Sequence, residues 1–461
     1  MSRYGPGVAC SRRAASDSVN VVHVMASEVA AAVGGRMVGD DVEIDGVSID
    51  SRSVTSGQLF VPIVAARDGH EFVPSAIGSG AVAYLSSAGV VPGAEARTAI
   101  VVEDTAAALA DLGGAMRDRL PGRVVGVTGS VGKTSTKDLL AGVLSTTFRT
   151  TASAKSFNNE LGLPLTLANA PDDTEAVVVE MGARGIGHID LLCSIARPTV
   201  GIITRVEGVH LELFGDIESV ARAKGELVEA LPVAGLAVLN ADHKHVAAMA
   251  DRTDAAVLTF GLTAAADVYA SGVVLDDELR ASFRLHTPWG ESDIRLGARG
   301  EHQVPNALAA VAAAGWLGVP VDAMADGLFG AALSGLRMEL VTTDGGVTIL
   351  NDAYNANPTS MVAALRSLVA LDVRRRVAVL GTMAELGDDS ASQHEAIALQ
   401  ARELGVEVIA VGEPSYGPDV RHVPDVEAAV AELSRLEAGD AVLVKGSRVA
   451  ALERVAQALL D

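Results

Sequence analysis

The run Val124-Val125-Gly126-Val127-Thr128-Gly129-Ser130-Val131-Gly132-Lys133-Thr134-Ser135 holds the residue types that grip a phosphate chain. An apolar, β-branched stretch ends in glycines and a Lys-Thr pair, and Leu139, Leu140, Val143 and Leu144 follow at helical spacing. The pattern reads as a buried strand, a glycine-rich turn and a helix start. Gly129 and Gly132 let the backbone approach closely. The N–H groups of the loop, Gly129 through Ser130, Val131 and Gly132 to Lys133, Thr134 and Ser135, then face an anion at the positive end of the helix. Lys133 supplies a point charge, and the Thr134 hydroxyl can ligate Mg²⁺. The ligand implied is a nucleoside triphosphate. Strict GxxxxGK[ST] spacing would need glycine at position 127, which is Val127, so the loop is a variant.

The elements needed to position such a loop are legible around it. Buried-strand patterns recur at Val124–Thr128, Ala176–Glu180, Val200–Thr204 and Leu236–Asn240, with helical segments between several of them. That alternation predicts a mostly parallel sheet. In parallel sheets ligands bind beyond the carboxyl ends of strands, which is where Glu180 and His210 fall. A carboxylate and an imidazole beside a triphosphate suit divalent cations. Taken singly, Glu180 could instead cap the next turn, and His210 could be a solvated loop histidine.

The fold class expected is α/β in three domains. Residues 1–20 read as a polar, poorly ordered tail. Residues 21–105 form a small α/β N-terminal domain, with a short helix from Ser27 to Val33. Residues 106–335 form the central phosphate-loop domain with its parallel sheet, opened by a helix over Ala106–Arg119. Within it, Ala270–Gly297 has an alternating, turn-rich character that predicts an antiparallel excursion. Residues 336–461 restart a regular alternation that ends in a helix over Val449–Leu460, predicting a Rossmann-like doubly wound domain.

Composition narrows the function. A length of 461 residues, 49% hydrophobic and 20% charged, fits several globular cores rather than a disordered chain. A net charge of −22 argues against a nucleic-acid or anionic-membrane surface. No apolar run reaches the length of a bilayer span, and the first twenty residues lack a secretory core. Two cysteines, Cys10 and Cys193, make neither a disulfide framework nor a zinc site. A cytoplasmic protein with no transmembrane segment and no nucleic-acid partner is expected.

Several further motifs stand in a recognisable order: Ser156-Phe157-Asn158-Asn159-Glu160-Leu161-Gly162-Leu163-Pro164, Glu180-Met181-Gly182-Ala183, His210, Ala223-Lys224, Gly300-Glu301-His302-Gln303-Val304-Pro305-Asn306, and Asn351-Asp352-Ala353-Tyr354-Asn355-Ala356-Asn357-Pro358. With the phosphate loop, they make the chain from about Val21 onward resemble the Mur ligases, ATP-dependent amide-bond-forming enzymes of peptidoglycan synthesis. The segments Asn351–Pro358, Leu380–Gly387 and Lys445–Arg448 look most like the members that add D-alanyl-D-alanine to a UDP-N-acetylmuramoyl-tripeptide.

The resemblance implies roles for individual residues. Lys133, His210 and Lys224 would be catalytic, acting through an acyl-phosphate intermediate. Thr134 and Glu180 would hold one Mg²⁺, and His210 a second, with Lys224 carbamylated so that it becomes an anionic oxygen ligand. Asn306 would meet adenine, although Gln303 stands where relatives often carry asparagine. Arg337 and Asp352 would reach the nucleotide from the third domain. Ser51 and Arg52, in Asp50-Ser51-Arg52, resemble a uridine-diphosphate site, and Asn158 and Asn159 would lie near the muramoyl peptide. ATP, two Mg²⁺ ions, UDP-N-acetylmuramoyl-tripeptide and D-alanyl-D-alanine are the implied ligands, and a monomer is expected. Two alternatives stay open: another member of the superfamily, such as the ligase adding the preceding diamino acid or a folate polyglutamylating enzyme, and a phosphate-loop switch that joins nothing.

Overall fold

The computed structural model describes residues 23–154, 157–208 and 214–461. The tail expected over residues 1–20 and His210 lie outside the described residues. Three main sheets organise the rest. In the N-terminal region the strand order is Arg36–Val38, Thr98–Val101, Ala83–Ser86, Leu59–Phe60, Val47–Ser48. The first pair is antiparallel and the others are parallel. The first helix runs Ala26–Ala32, within a residue of expectation.

The helix Thr105–Arg119 leads onward, opened by Asp104, whose carboxylate accepts from the N–H groups of Ala106 and Ala107 at 2.7 and 3.0 Å. Its Leu109, Leu112 and Met116 join the apolar core of the N-terminal sheet together with Leu165 and Ala168 of the helix Gly162–Ala168. The contact is close because Gly113 has no side chain: a Cβ there would stand 2.7 Å from the Pro164 Cα.

Among the described residues the central sheet has nine strands. Thr150–Ala152, Ala176–Glu180, Val124–Thr128, Val200–Ile203, Leu236–Asn240 and Ala256–Gly261 run parallel in that spatial order. The expected antiparallel excursion is Val268–Leu275, Arg280–Thr287 and Gly290–Arg299, which extends the same sheet rather than leaving it. The strand of the phosphate loop lies between those that end at Glu180 and Ile203. Three carboxyl ends therefore meet at one edge.

The C-terminal sheet has the order Glu339–Thr342, Thr348–Asn351, Asp440–Lys445, Arg375–Leu380, Glu407–Val411, Arg421–Val423, parallel except for its first pair. Pro358–Ala370 and Ser390–Glu403 pack on one face, Val426–Leu433 and Glu453–Leu460 on the other, so the sheet is doubly wound. The last helix starts at Glu453 rather than Val449: Arg448–Ala450 is a 3₁₀ turn, and Ala451 at φ 48° breaks the helical path. Asp440–Lys445, last in sequence, inserts between the first two parallel strands and brings Lys445 beside the ends of Asn351 and Leu380.

Candidate active site

The carboxyl ends of the central and C-terminal sheets face each other across a cleft of 640 Å³. On the central side the chain leaves Thr128, turns through Gly129 at φ 148° and Gly132 at φ 89°, and enters the helix Lys133–Leu144. Neither glycine can be replaced freely. A Cβ on Gly129 would lie 2.0 Å from the Thr204 Oγ1, and one on Gly132 would lie 2.4 Å from the Asn306 Oδ1. Thr204, buried, donates its hydroxyl to the Val131 carbonyl at 2.6 Å, and the Ser130 N–H donates to the Arg205 carbonyl at 2.7 Å. The loop is thus tied down before any ligand arrives.

Lys133 donates to the Gly129 and Ser130 carbonyls at 2.7 and 3.3 Å, its ammonium folded over the loop. Burial pushes its pKa down, with Arg337 acting the same way, while Glu180 and Glu385 pull it up. Thr134 donates its hydroxyl to Glu180 Oε2 at 2.7 Å, and Asn158 Nδ2 donates to Glu180 Oε1 at 2.8 Å. Glu180 is almost wholly buried. Lys224, on the helix Ile217–Glu229, is only 2% exposed. Burial first, and then the Lys133 ammonium, lower its pKa to about 7 against the pull of Glu226 and Glu180.

The C-terminal side supplies Arg337, whose Nη2 donates to the Thr134 Oγ1 at 3.0 Å while its guanidinium lies 4.3 Å from the centre of the Tyr354 ring. Leu336 and Met338 on either side of it take φ of 60° and 52°, a left-handed kink on both sides of one functional side chain. Asp352 accepts from the Lys445 Nζ at 2.6 Å and from the Met338 N–H at 3.3 Å. Lys445 also donates to the Asn355 carbonyl at 2.8 Å, which fixes the Asp352–Asn357 turn.

This donor set fits a nucleoside triphosphate with a divalent cation. Loop amides at a helix N-terminus, two cradling glycines, Lys133 and Arg337 suit a phosphate chain, and a hydroxyl and a carboxylate 2.7 Å apart offer hard oxygen ligands.

Family models match along the chain. The model described as "Mur ligase family, catalytic domain" matches residues 43–117, "Mur ligase middle domain" matches 127–314, and "Mur ligase, glutamate ligase domain" matches 336–448. The UDP-N-acetylmuramoyl-tripeptide--D-alanyl-D-alanine ligase of Mycobacterium bovis is 39% identical over 467 residues, covering 90% of this chain and 92% of its own. The chain belongs to the Mur ligase family. Solved Mur ligases share its fold. MurF from Acinetobacter baumannii superposes with a TM-score of 0.87 at 30% identity, over 96% of this chain and 100% of its own. The MurF ligase from Thermotoga maritima, in complex with ADP, does so with a TM-score of 0.78 at 28% identity, over 90% and 96%.

In this Mur ligase the residues expected at the site divide into three groups. Ser130, Val131, Gly132, Lys133, Thr134, Ser135, Asn158, Asn159, Glu180, Lys224, Asn306, Arg337 and Asp352 line the one cleft, with Gly129 carrying the turn beneath it. Asn306 Nδ2 donates to Gln303 Oε1 at 2.9 Å, and Asn159 Oδ1 accepts from the Gly162 N–H at 2.9 Å, opening the helix Gly162–Ala168. Ser51 and Arg52 sit apart, on the turn after Val47–Ser48. Arg52 clamps Asp50 through two side-chain donors at 2.9 and 2.7 Å, and that hydrogen bonding holds the Asp50 carboxyl at about 2. His210 lies outside the described residues.

Three groups that the sequence motifs contain, but to which no role was assigned, also line the cleft. Lys445 quoted in a motif is also the ion-pair partner of Asp352. His302 lines the cleft, and burial pushes its pKa down, keeping the ring neutral. Glu385, in the loop after Arg375–Leu380, lines it too. The signal that could have found Lys445 and Glu385 is their place just beyond parallel strands, the same rule that found Glu180.

Proposed function

We propose that this Mur ligase adds D-alanyl-D-alanine to UDP-N-acetylmuramoyl-tripeptide at the expense of ATP, through an acyl phosphate, in peptidoglycan precursor synthesis. The observation that carries the reading is the convergence of Lys133, Thr134, Glu180 and Lys224 from one sheet with Arg337 and Asp352 from the next on a single cleft. Its agreement with the D-alanyl-D-alanine-adding relatives over nine-tenths of the chain selects the substrates. Residues 21–105 are then the UDP-substrate domain, 106–335 the ATP domain and 336–461 the ligase domain. Both walls of the cleft belong to one chain, which supports a monomer. The demand for ATP and a nucleotide-linked precursor supports a cytoplasmic place of work.

A carboxylate is a poor electrophile. ATP with two Mg²⁺ ions supplies the phosphoryl group that makes its oxygen a leaving group and spreads the charge that builds up. The chain's own residues prepare for this. Loop amides and Lys133 hold the phosphate end, and Arg337 brings a guanidinium to the same point from the facing domain. Thr134 and Glu180 would hold one cation. A carbamate on Lys224, with His210, would serve the other. Asn158 orients Glu180 and borders the space for the muramoyl peptide. Ser51 and Arg52 would receive the uridine diphosphate.

Product detection by mass with each substrate omitted in turn tests the reading. Phosphate release should require both the UDP-muramoyl peptide and D-alanyl-D-alanine. Lys133→Ala should fold yet lose coupling by about 100- to 1,000-fold, the usual cost of one preorganised charge-stabilising group. Phosphate release indifferent to both partners would instead mark a nucleotide switch.

A further inference from the structure

We propose that Asn169 is a positioning residue: it holds the uridine-diphosphate turn of the N-terminal domain at a set place relative to the phosphoryl-transfer site. The assignment rests on the ligase reading above and concerns how one extended substrate is held at both ends. A UDP-muramoyl peptide would lay its diphosphate on the first domain and bring its terminal carboxylate to the triphosphate on the second. The substrate joins those two ends, so the protein must fix the distance between the two sites.

The helix Gly162–Ala168 makes the join. Its seven residues, at about 1.5 Å each, cover roughly 10 Å. At its start Asn159 Oδ1 accepts from the Gly162 N–H, the Gly182 N–H donates to the Asn158 carbonyl at 2.7 Å, and Asn158 Nδ2 holds Glu180. Along its length Leu163 and Leu167 enter the central apolar core, while Leu165 and Ala168 enter the N-terminal one. Apolar packing of this kind brings two domains together, but it is non-directional and allows them to slide.

Asn169, the residue after the helix, supplies the direction. Val47–Ser48 ends the strand order of the N-terminal sheet. The Gly46 and Ser48 carbonyls turn inward and accept from the Leu59 and Val61 N–H groups, each at 2.9 Å. The N–H and carbonyl of Val47 consequently face outward, where a further strand would pair. The Asn169 carboxamide takes that strand's place: Oδ1 accepts from the Val47 N–H at 2.8 Å, and Nδ2 donates to the Val47 carbonyl at 2.9 Å. Nδ2 also donates to the Leu165 carbonyl at 2.9 Å, which ties the amide to its own helix. One acceptor and two donors are used, a combination that asparagine carries and aspartate does not. The approach is close, since a Cβ on Gly46, at φ 108°, would stand 2.9 Å from Asn169 Oδ1.

The strand so held feeds directly into the turn. The Ser48 hydroxyl donates to the Asp50 carbonyl at 3.1 Å and accepts from the Asp50 N–H at 3.2 Å, and Asp50 in turn is gripped by Arg52. A continuous bonded path therefore runs from Glu180, along the helix and through Asn169, to the turn that carries Ser51 and Arg52.

The test uses the full enzyme and ligands of different reach. Asn169→Ala removes the clamp, and Asn169→Asp keeps its volume while turning an oxygen toward two carbonyls. In both variants the KM for ATP and competitive inhibition by uridine diphosphate alone should match the wild type, because each ligand occupies one end only. Coupling of UDP-muramoyl-tripeptide to D-alanyl-D-alanine needs both ends at once, and its kcat/KM should fall by about 10-fold or more. A merely structural role would lower the melting temperature and leave all three measurements unchanged in the folded enzyme, and that result overturns the proposal. Equal losses for uridine diphosphate and the full substrate overturn it too, since the damage would then lie within the turn, as does a parallel loss for ATP. A wild type that couples its substrates but is not inhibited by uridine diphosphate removes the uridine turn and this proposal with it. A wild type that couples nothing removes the ligase reading itself.

Discussion

Burial, and then the neighbouring Lys133 ammonium, gives Lys224 its chemistry, against the pull of Glu226 and Glu180. An ordinary lysine at pH 7 is neutral in roughly one molecule in three thousand. Lys224, lowered to about 7 by burial and by the Lys133 ammonium, holds a far larger neutral share. A neutral amine is the form that adds CO₂, so the environment that makes an ammonium costly also makes a carbamate accessible. The sign follows. Below pH 7 the amine would take a proton and a carbamate there would be lost; above it the amine would be free to react. Activity should therefore show an acid limb near pH 7 that moves to lower pH when bicarbonate is added and to higher pH when CO₂ is stripped. Lys224→Ala and Lys224→Arg should each lose activity by at least about 10- to 100-fold, and bicarbonate should restore neither. A limb that ignores CO₂ would leave Lys224 a plain buried amine.

The helix Thr105–Arg119 offers two adjacent glycines with opposite forecasts. A Cβ on Gly113 would meet the Pro164 backbone at 2.7 Å, whereas one on Gly114 would meet nothing within 4 Å. Replacing a mid-helix glycine by alanine gains about 1 kcal/mol of helix propensity. At Gly114 that gain stands alone, so Gly114→Ala should raise the urea midpoint. At Gly113 overpacking costs about 1–3 kcal/mol and wins or cancels, so Gly113→Ala should lower it or leave it flat. The ordering of the two variants is the check. Elements of this kind also explain what the sequence disclosed. The phosphate loop was readable because its chemistry is local: strand, glycines, lysine and helix are contiguous, and Glu180 was found by its strand end. Glu339–Thr342 and Arg421–Val423 were not readable, being short strands at the sheet edges with little alternation. Nor was the partnership of Asp352 with Lys445, because it depends on the last strand inserting beside Asn351, a long-range fact of strand order. The early start expected for the final helix failed at one residue, Ala451, whose left-handed backbone no propensity anticipates.

At the scale of the molecule the cleft is an interface between two domains, and Arg337 is its most direct tie. Its guanidinium reaches the Thr134 hydroxyl across the cleft, while the left-handed residues Leu336 and Met338 mark where the chain bends between the two sheets. A single hydrogen bond from a charged donor is worth about 1.5–3 kcal/mol, a small hold on two domains against their freedom to move. A triphosphate held by the central loop gives Arg337 several charged oxygens to grip, which changes the balance in favour of closure. Closure in turn excludes water from an acyl phosphate that hydrolysis would waste. A compact chain of 461 residues has a radius of gyration of roughly 23 Å. The free enzyme should scatter X-rays with a larger value and contract toward this one when a non-hydrolysable ATP analogue and the UDP-muramoyl peptide are added together. Arg337→Ala should bind the nucleotide more weakly and contract less at saturation, because the central loop keeps its own contacts while the facing domain loses its grip. An unchanged radius in the wild type with both ligands bound would mean that the cleft is already in its working geometry, with water kept out by the substrates themselves.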